Sequence, residues 1–264
     1  VPWSESIPQF SSAATVLGLA LVVYAAIGEP LLGRWAFARL RRRRSSDPRA
    51  LGRFYVLTIV LQWSWVAAIA AILVLSPGLR PGDLGLRAPH ELLPLLTGAG
   101  TVAAVLAVWG AAAGARRRSG RRRGAAPERG EAAGSAAAER PAPGSHVAAV
   151  LAPRSRRERR LALAVSVTAG VCEELLYRGL FIAFGVALGL PLWAAAVLSC
   201  LLFAVAHVYQ GWWGLVGPGL LGALFTLTYL GTGSLLIPVV LHLAIDLGGL
   251  LFAGSGRRRR VAAA

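Results

Sequence analysis

Residues Leu161–Phe184 read LALAVSVTAGVCEELLYRGLFIAF, an apolar run about as long as a helix needs to cross a bilayer. Its centre nevertheless carries Glu173, Glu174 and Arg178. One ionisable residue in the middle of a membrane helix costs roughly 2.5–3.5 kcal/mol even on the gentler insertion scales. Three of them so close together are expected to be there for a function. Two later apolar segments carry further polar chemistry, Phe203 and His207 in one and His242 and Asp246 in the other. Carboxylates and imidazoles on separate apolar helices point to an active site inside a membrane protein.

Working outward, the rest of the chain fits that reading. It has 264 residues, 56% hydrophobic, and its apolar runs are longer than those of a soluble α/β protein. Seven segments stand out: Ala13–Leu32, Phe54–Ser76, Leu92–Gly114, Leu161–Phe184, Leu192–Val208, Trp212–Leu230 and Leu235–Ala253. The fold class expected is all-α, a polytopic transmembrane helix bundle of about seven spans. The fifth and sixth segments are short enough to be tilted or re-entrant.

The formal net charge of +16 invites a nucleic-acid reading, but no nucleic-acid-binding motif is present. The basic residues are all Arg and cluster between apolar runs, as the positive-inside rule requires. Blocks at Arg41–Arg44, Arg116–Arg118, Arg121–Arg123, Arg154–Arg160 and Arg257–Arg260 fall on one side if seven spans start from an outside N-terminus. The Arg-rich loops and the C-terminus are therefore expected to be cytoplasmic, facing anionic headgroups of a bacterial plasma membrane. The first apolar run lacks a basic flank, so no cleavable signal peptide is expected. Cys172 and Cys200 lie within apolar spans and read as small buried hydrophobes.

Four regions follow: an N-terminal three-span region (1–114), an Arg-rich disordered cytoplasmic loop (115–160), a catalytic membrane core (161–256) and a basic tail (257–264). The loop is rich in Ala, Gly, Pro, Glu and Arg and has too few large apolar residues to order itself. The core carries every motif.

On a helix, residues four apart share a face. Glu174 and Arg178 can then neutralise each other, leaving Glu173, about 100° away, as the free carboxylate. A Glu in a low-dielectric site is a competent general base for water. His207 can share that water or protonate a leaving amine, and His242, oriented by Asp246, can donate to an oxyanion. Pro238, four residues before His242, is expected to loosen the last helix. Glu173 lies about 18 Å along its helix from the Arg cluster, while His207 is near the end of its own span. The two meet if the fourth helix extends through Arg154–Arg160, with a site opening toward the cytoplasm. Gly185 and Gly189 read as a small-xxx-small packing pair, and Trp212 and Trp213 as interfacial anchors.

The ordered motifs EExxxR at Glu173–Arg178, FxxxH at Phe203–His207 and HxxxD at His242–Asp246, with the run Thr232-Gly233-Ser234-Leu235 ahead of the last, resemble the CPBP intramembrane proteases. This is the CAAX-protease and bacteriocin-processing, or Abi, family. Each motif alone occurs by chance in many helices; their order on successive apolar segments is the specific signal. The resemblance covers roughly Leu161 to Ala253. It implies an intramembrane endopeptidase acting on a peptide or protein, with Glu173 and His207 activating water. It also implies that Glu174, Arg178 and Phe203 support the site and that His242 and Asp246 line an oxyanion pocket. Eukaryotic CAAX endopeptidases of the family have Asn where this chain has Asp246. Here Asp246 is either protonated, so that it can donate, or serves only to orient His242.

Two His and a Glu are also ligands that zinc accepts, and a divalent metal such as Zn2+ held by Glu173, His207 and His242 is the alternative cofactor. The chain has no HExxH pair, and no obligatory metal is expected. Three other functions are compatible with these residues: bacteriocin self-immunity on the same fold without proteolysis, an ion-coupled transporter, and a b-type haem protein with His207 and His242 as axial ligands.

Overall fold

A computed structural model describes residues 7–89, 100 and 145–255. The expected third span, Leu92–Gly114, lies outside the described residues except for Gly100, as do most of the expected loop and the basic tail. The described residues form an all-α membrane helix bundle without strands. We label its helices α1 (Ser12–Arg43), α2 (Ala50–Leu75), α3 (Ser145–Leu151), α4 (156–187), α5 (Leu192–Ala206), α6 (Trp212–Thr232) and α7 (Leu236–Ser255). By length and composition α1, α2 and α6 can each cross a membrane. Val16, Leu19, Val60, Leu201, Leu220 and Leu227 are exposed on the outside of the bundle, as suits a multi-pass membrane protein with lipid for solvent.

α4 is the organising element. Ser155 caps its N-terminus, its side chain accepting from the Glu158 N–H at 3.1 Å. The helix starts at Arg156 and therefore does extend ahead of its apolar stretch. It packs against α2 on one side and α7 on the other. Gly170 sits where α7 approaches most closely; a Cβ there would lie 3.4 Å from the Val239 carbonyl oxygen.

Between Glu174 and Phe181 the backbone of α4 widens into a π-helix, a rare form found mostly at functional sites. Ser199 of α5 donates its hydroxyl to the Tyr177 carbonyl in this segment, so the altered ladder leaves that buried acceptor paired.

Several sequence expectations change. The four Arg of Arg41–Arg44 are not equivalent solvated charges. Arg44 is buried and paired with Glu158 through two hydrogen bonds of 2.9 and 3.1 Å, and it also donates to the carbonyls of Val150 and Ala152. That clamp ties the start of α4 to the end of α3. Part of the stretch expected to be a disordered loop is helical, at Ser145–Leu151. Tyr55 adds a hydrogen bond to the Leu151 carbonyl at 2.7 Å.

Pro238 does not loosen α7. It falls in the first turn, where a backbone N–H would have no intrahelical acceptor. The run ahead of it is a docking turn: Gly233 is left-handed at φ 65, the Ser234 hydroxyl donates to the Arg87 carbonyl at 2.6 Å, and the Leu235 N–H donates to the Gly85 carbonyl at 2.9 Å. Of the two glycines read as a packing pair, only Gly185 packs; a Cβ there would meet the Ala195 methyl at 2.8 Å. Gly189 has φ 90 and open space around it, and its role is to turn the chain after α4.

Candidate active site

Glu174 and Arg178 are fully buried, and Arg178 Nη1 donates to Glu174 Oε1 at 2.9 Å. The rest of the guanidinium is also engaged: Nη2 donates to the Gly222 carbonyl at 3.1 Å and Nε to the Thr226 hydroxyl at 3.4 Å. Its face lies 4.3 Å from the Phe203 ring centroid and 5.4 Å from that of Phe225, where a cation is attracted to the π-face. The expected ion pair is therefore present, and it also joins α4 to α6.

Glu174 has a second task that its spacing did not reveal. His242 Nδ1 lies 2.8 Å from the same Oε1 atom, while its Nε2 lies 3.8 Å from Glu173 and 4.0 Å from Asp246. The carboxylate within hydrogen-bonding distance of His242 is thus Glu174, and Asp246 is a more distant neighbour. Phe225 stacks on the imidazole with a centroid separation of 5.2 Å.

Glu173 was expected to be a free carboxylate. Within its own helix it is, but Gln62 of α2 donates Nε2–H to its Oε1 at 2.7 Å. The other oxygen, Oε2, has no hydrogen-bond partner among the described residues.

His207 forms the end of α5. Its Nδ1 lies 2.8 Å from the Phe203 carbonyl. A carbonyl only accepts, so Nδ1 carries the hydrogen and the neutral ring presents the lone pair of Nε2. Phe203 touches both imidazoles, with centroid separations of 4.7 Å to His207 and 6.2 Å to His242. Its ring packs against both histidines that a haem would need as axial ligands.

Glu173, His207, His242 and Asp246 all line one cavity of about 470 Å3. Its wall also includes Glu29 of α1, Gln62 of α2, and Leu151 and Ala152 at the end of α3. The N-terminal region, expected to carry no motif, thus supplies polar groups to the same space. Glu29 Oε2 accepts from the Tyr177 hydroxyl at 2.7 Å. Gln62 and Glu29 show no helical spacing to any motif, and the only sequence signal was a polar side chain within an apolar run. Among the described residues no three His, Cys, Asp or Glu side chains are gathered so that they could hold a metal ion.

Residues 158–248 match the family described as type II CAAX prenyl endopeptidase Rce1-like. By that similarity we refer to this stretch as the Rce1-like core. The match coincides closely with the stretch whose motifs resemble the CPBP proteases, and it contains the EExxxR, FxxxH and HxxxD residues. Over 92 residues the chain is also 34% identical to an uncharacterized 24.3 kDa protein of Escherichia coli. That alignment covers 34% of this chain and 42% of the relative, so less than half of either protein is compared. No solved structure matches. Glu29 and Gln62 lie outside the Rce1-like core yet share its cavity.

Proposed function

We propose that the chain is an intramembrane endopeptidase in which Glu173 and His207 activate a water molecule against a peptide bond. The observation that carries this reading is the shared cavity, onto which a carboxylate with one unpartnered oxygen and an imidazole with a lone pair on Nε2 both open.

Water bound between Glu173 and His207 loses a proton to the Glu173 carboxylate as its oxygen adds to the substrate carbonyl carbon. Gln62 holds Glu173 by its other oxygen, leaving Oε2 for the water. His207, fixed by the Phe203 carbonyl, accepts a hydrogen bond from the same water through Nε2. The tetrahedral oxyanion faces His242 Nε2–H, while Nδ1–H of that ring is committed to Glu174. When the C–N bond breaks, the proton held by Glu173 passes to the departing nitrogen, and the new carboxylic acid ionises. Glu174 and Arg178 orient His242 and do not touch the reacting atoms. Asp246, 4.0 Å from His242 Nε2, lines the same cavity.

Substrate access is read as coming from the Arg-rich face, because the cavity wall continues to the end of α3 beside the Arg44–Glu158 pair. The test is cleavage of a candidate peptide by detergent-purified wild type, Glu173→Gln and His207→Ala, with and without chelator. Loss of cleavage in both variants supports the mechanism. Wild-type rates in both defeat it, and chelator-sensitive cleavage restored by zinc replaces it with a metal mechanism.

A further inference from the structure

The cavity that reaches Glu173 has a second acidic centre, supplied by helices outside the Rce1-like core. Glu29 enters from α1 and is held by the Tyr177 hydroxyl at 2.7 Å; Tyr177 lies on the same helix as Glu173, four residues further on. Gln62 enters from α2 and is 3% exposed. Its amide nitrogen is committed to Glu173, and its Oε1 has no hydrogen-bond partner among the described residues. Both residues line the cavity.

The remaining lining is rich in acids, with His207 and His242 as its only imidazoles among the described residues. Glu29, Glu173 and Asp246 contribute to the described wall, whereas no Arg does, in a chain that has 28 basic residues, all of them Arg. The guanidinium of Arg178 is fully buried and taken up by Glu174, Gly222 and Thr226. His242 also lines the wall, with its Nδ1 committed to Glu174 and its Nε2 lying between Glu173 and Asp246. Between the polar groups the wall is apolar, with Leu32, Ala36, Leu57 and Leu61.

We infer that this cavity receives a cationic side chain of the substrate, an arginine or lysine near the scissile bond, with Glu29 as its specificity-determining partner. The inference rests on the endopeptidase reading. A guanidinium or ammonium supplies only donors; Gln62 Oε1 has none among the described residues, and the Glu29 carboxylate, which receives the Tyr177 hydroxyl on Oε2, has further lone pairs to accept with. Its methylene stem suits the Leu and Ala lining. Acids in a low-dielectric cleft focus a negative potential that concentrates cations and rejects anions. A C-terminal CaaX segment carries its terminal carboxylate three residues beyond the modified Cys, and here that carboxylate would meet three acids and no guanidinium from the described wall.

The test uses the whole 264-residue chain in lipid nanodiscs, silenced by His207→Ala. It is titrated with fluorescent peptides of one apolar sequence bearing Arg, Gln or Glu at a single position, each with a free or an amidated C-terminus. The Arg peptide is expected to bind roughly tenfold tighter than the Gln peptide, the Glu peptide more weakly than either, and amidated forms at least as tightly as free acids. Glu29→Gln should abolish the Arg advantage while sparing the Gln peptide. Equal affinities, or an Arg advantage that survives Glu29→Gln, overturn the inference. Should that variant lose the Gln peptide too, the salt dependence of the Arg-to-Gln ratio in the Glu29 protein decides. A ratio that falls with ionic strength upholds the inference, and a flat one overturns it. A charge preference of this kind with no cleavage by wild type would count against the endopeptidase reading alone.

Discussion

His242 Nδ1 and Glu174 Oε1 are 2.8 Å apart, and that oxygen is also the one that receives Arg178. One carboxylate atom therefore ties the imidazole of α7 to a guanidinium that is itself anchored on α6. The second Glu of the EExxxR motif is the hub of three helices.

Removing Arg178 leaves Glu174 as a buried carboxylate facing only an imidazole. Breaking a buried pair from one side costs about 3–5 kcal/mol. Arg178→Met should lower the thermal unfolding midpoint in detergent markedly, and Arg178→Lys should rescue only part of it, since an ammonium cannot reach Glu174, Gly222 and Thr226 with the same planar fork.

Gln62→Leu removes the hydrogen bond that orients Glu173 while keeping an apolar side chain of similar size. A hydrogen bond to a charged group contributes about 1.5–3 kcal/mol. If the proposed mechanism holds, kcat should fall by roughly tenfold to a hundredfold with little change in KM. An unchanged kcat would remove Gln62 from the site.

Glu158 lies in the first turn of α4, ahead of the apolar stretch. Burial opposes its charge, but the Arg44 hydrogen bonds and the Arg154 backbone N–H outweigh it and hold the carboxyl below its ordinary value. A carboxyl lowered on folding adds stability above its unfolded pKa and loses it as pH falls through the folded value. The α3–α4 junction should therefore resist limited proteolysis near neutral pH and become cleavable once the pH drops below the usual glutamate range. Glu158→Gln should be cleavable at both and insensitive to pH across that window.

Gly222 sits against the guanidinium. A Cβ there would lie 3.0 Å from Arg178 Nη2 and 3.0 Å from Phe203 Cδ1, two groups that stack on each other and have little room to move. Gly222→Ala is expected to cost about 1–3 kcal/mol through this overpacking, read as a lower unfolding midpoint. Gly217→Ala, where the space is open, serves as the control on the same helix.

Local chemistry made much of this legible in one dimension. Long apolar runs dictate helices wherever backbone groups must satisfy themselves, and an acid or imidazole inside such a run stands out by its cost. The Glu174–Arg178 pair was readable because helical neighbours are set by spacing alone. The order EExxxR, FxxxH, HxxxD identified the stretch that matches the Rce1-like family.

What spacing could not reach were contacts between helices. Gln62 on Glu173, Glu174 on His242, Glu29 on Tyr177 and Arg44 on Glu158 join residues 68 to 148 positions apart. Such pairs depend on the rotation and depth of each helix in the bundle, which packing decides. The π-helical segment at Glu174–Phe181 belongs to the same class, since a π turn and an α turn differ in hydrogen-bond register and not in residue type. The sequence by itself determined that this is a membrane helix bundle with a buried acid–imidazole centre. Only the tertiary structure decided which carboxylate holds which imidazole, because that choice is made by side chains meeting across helices.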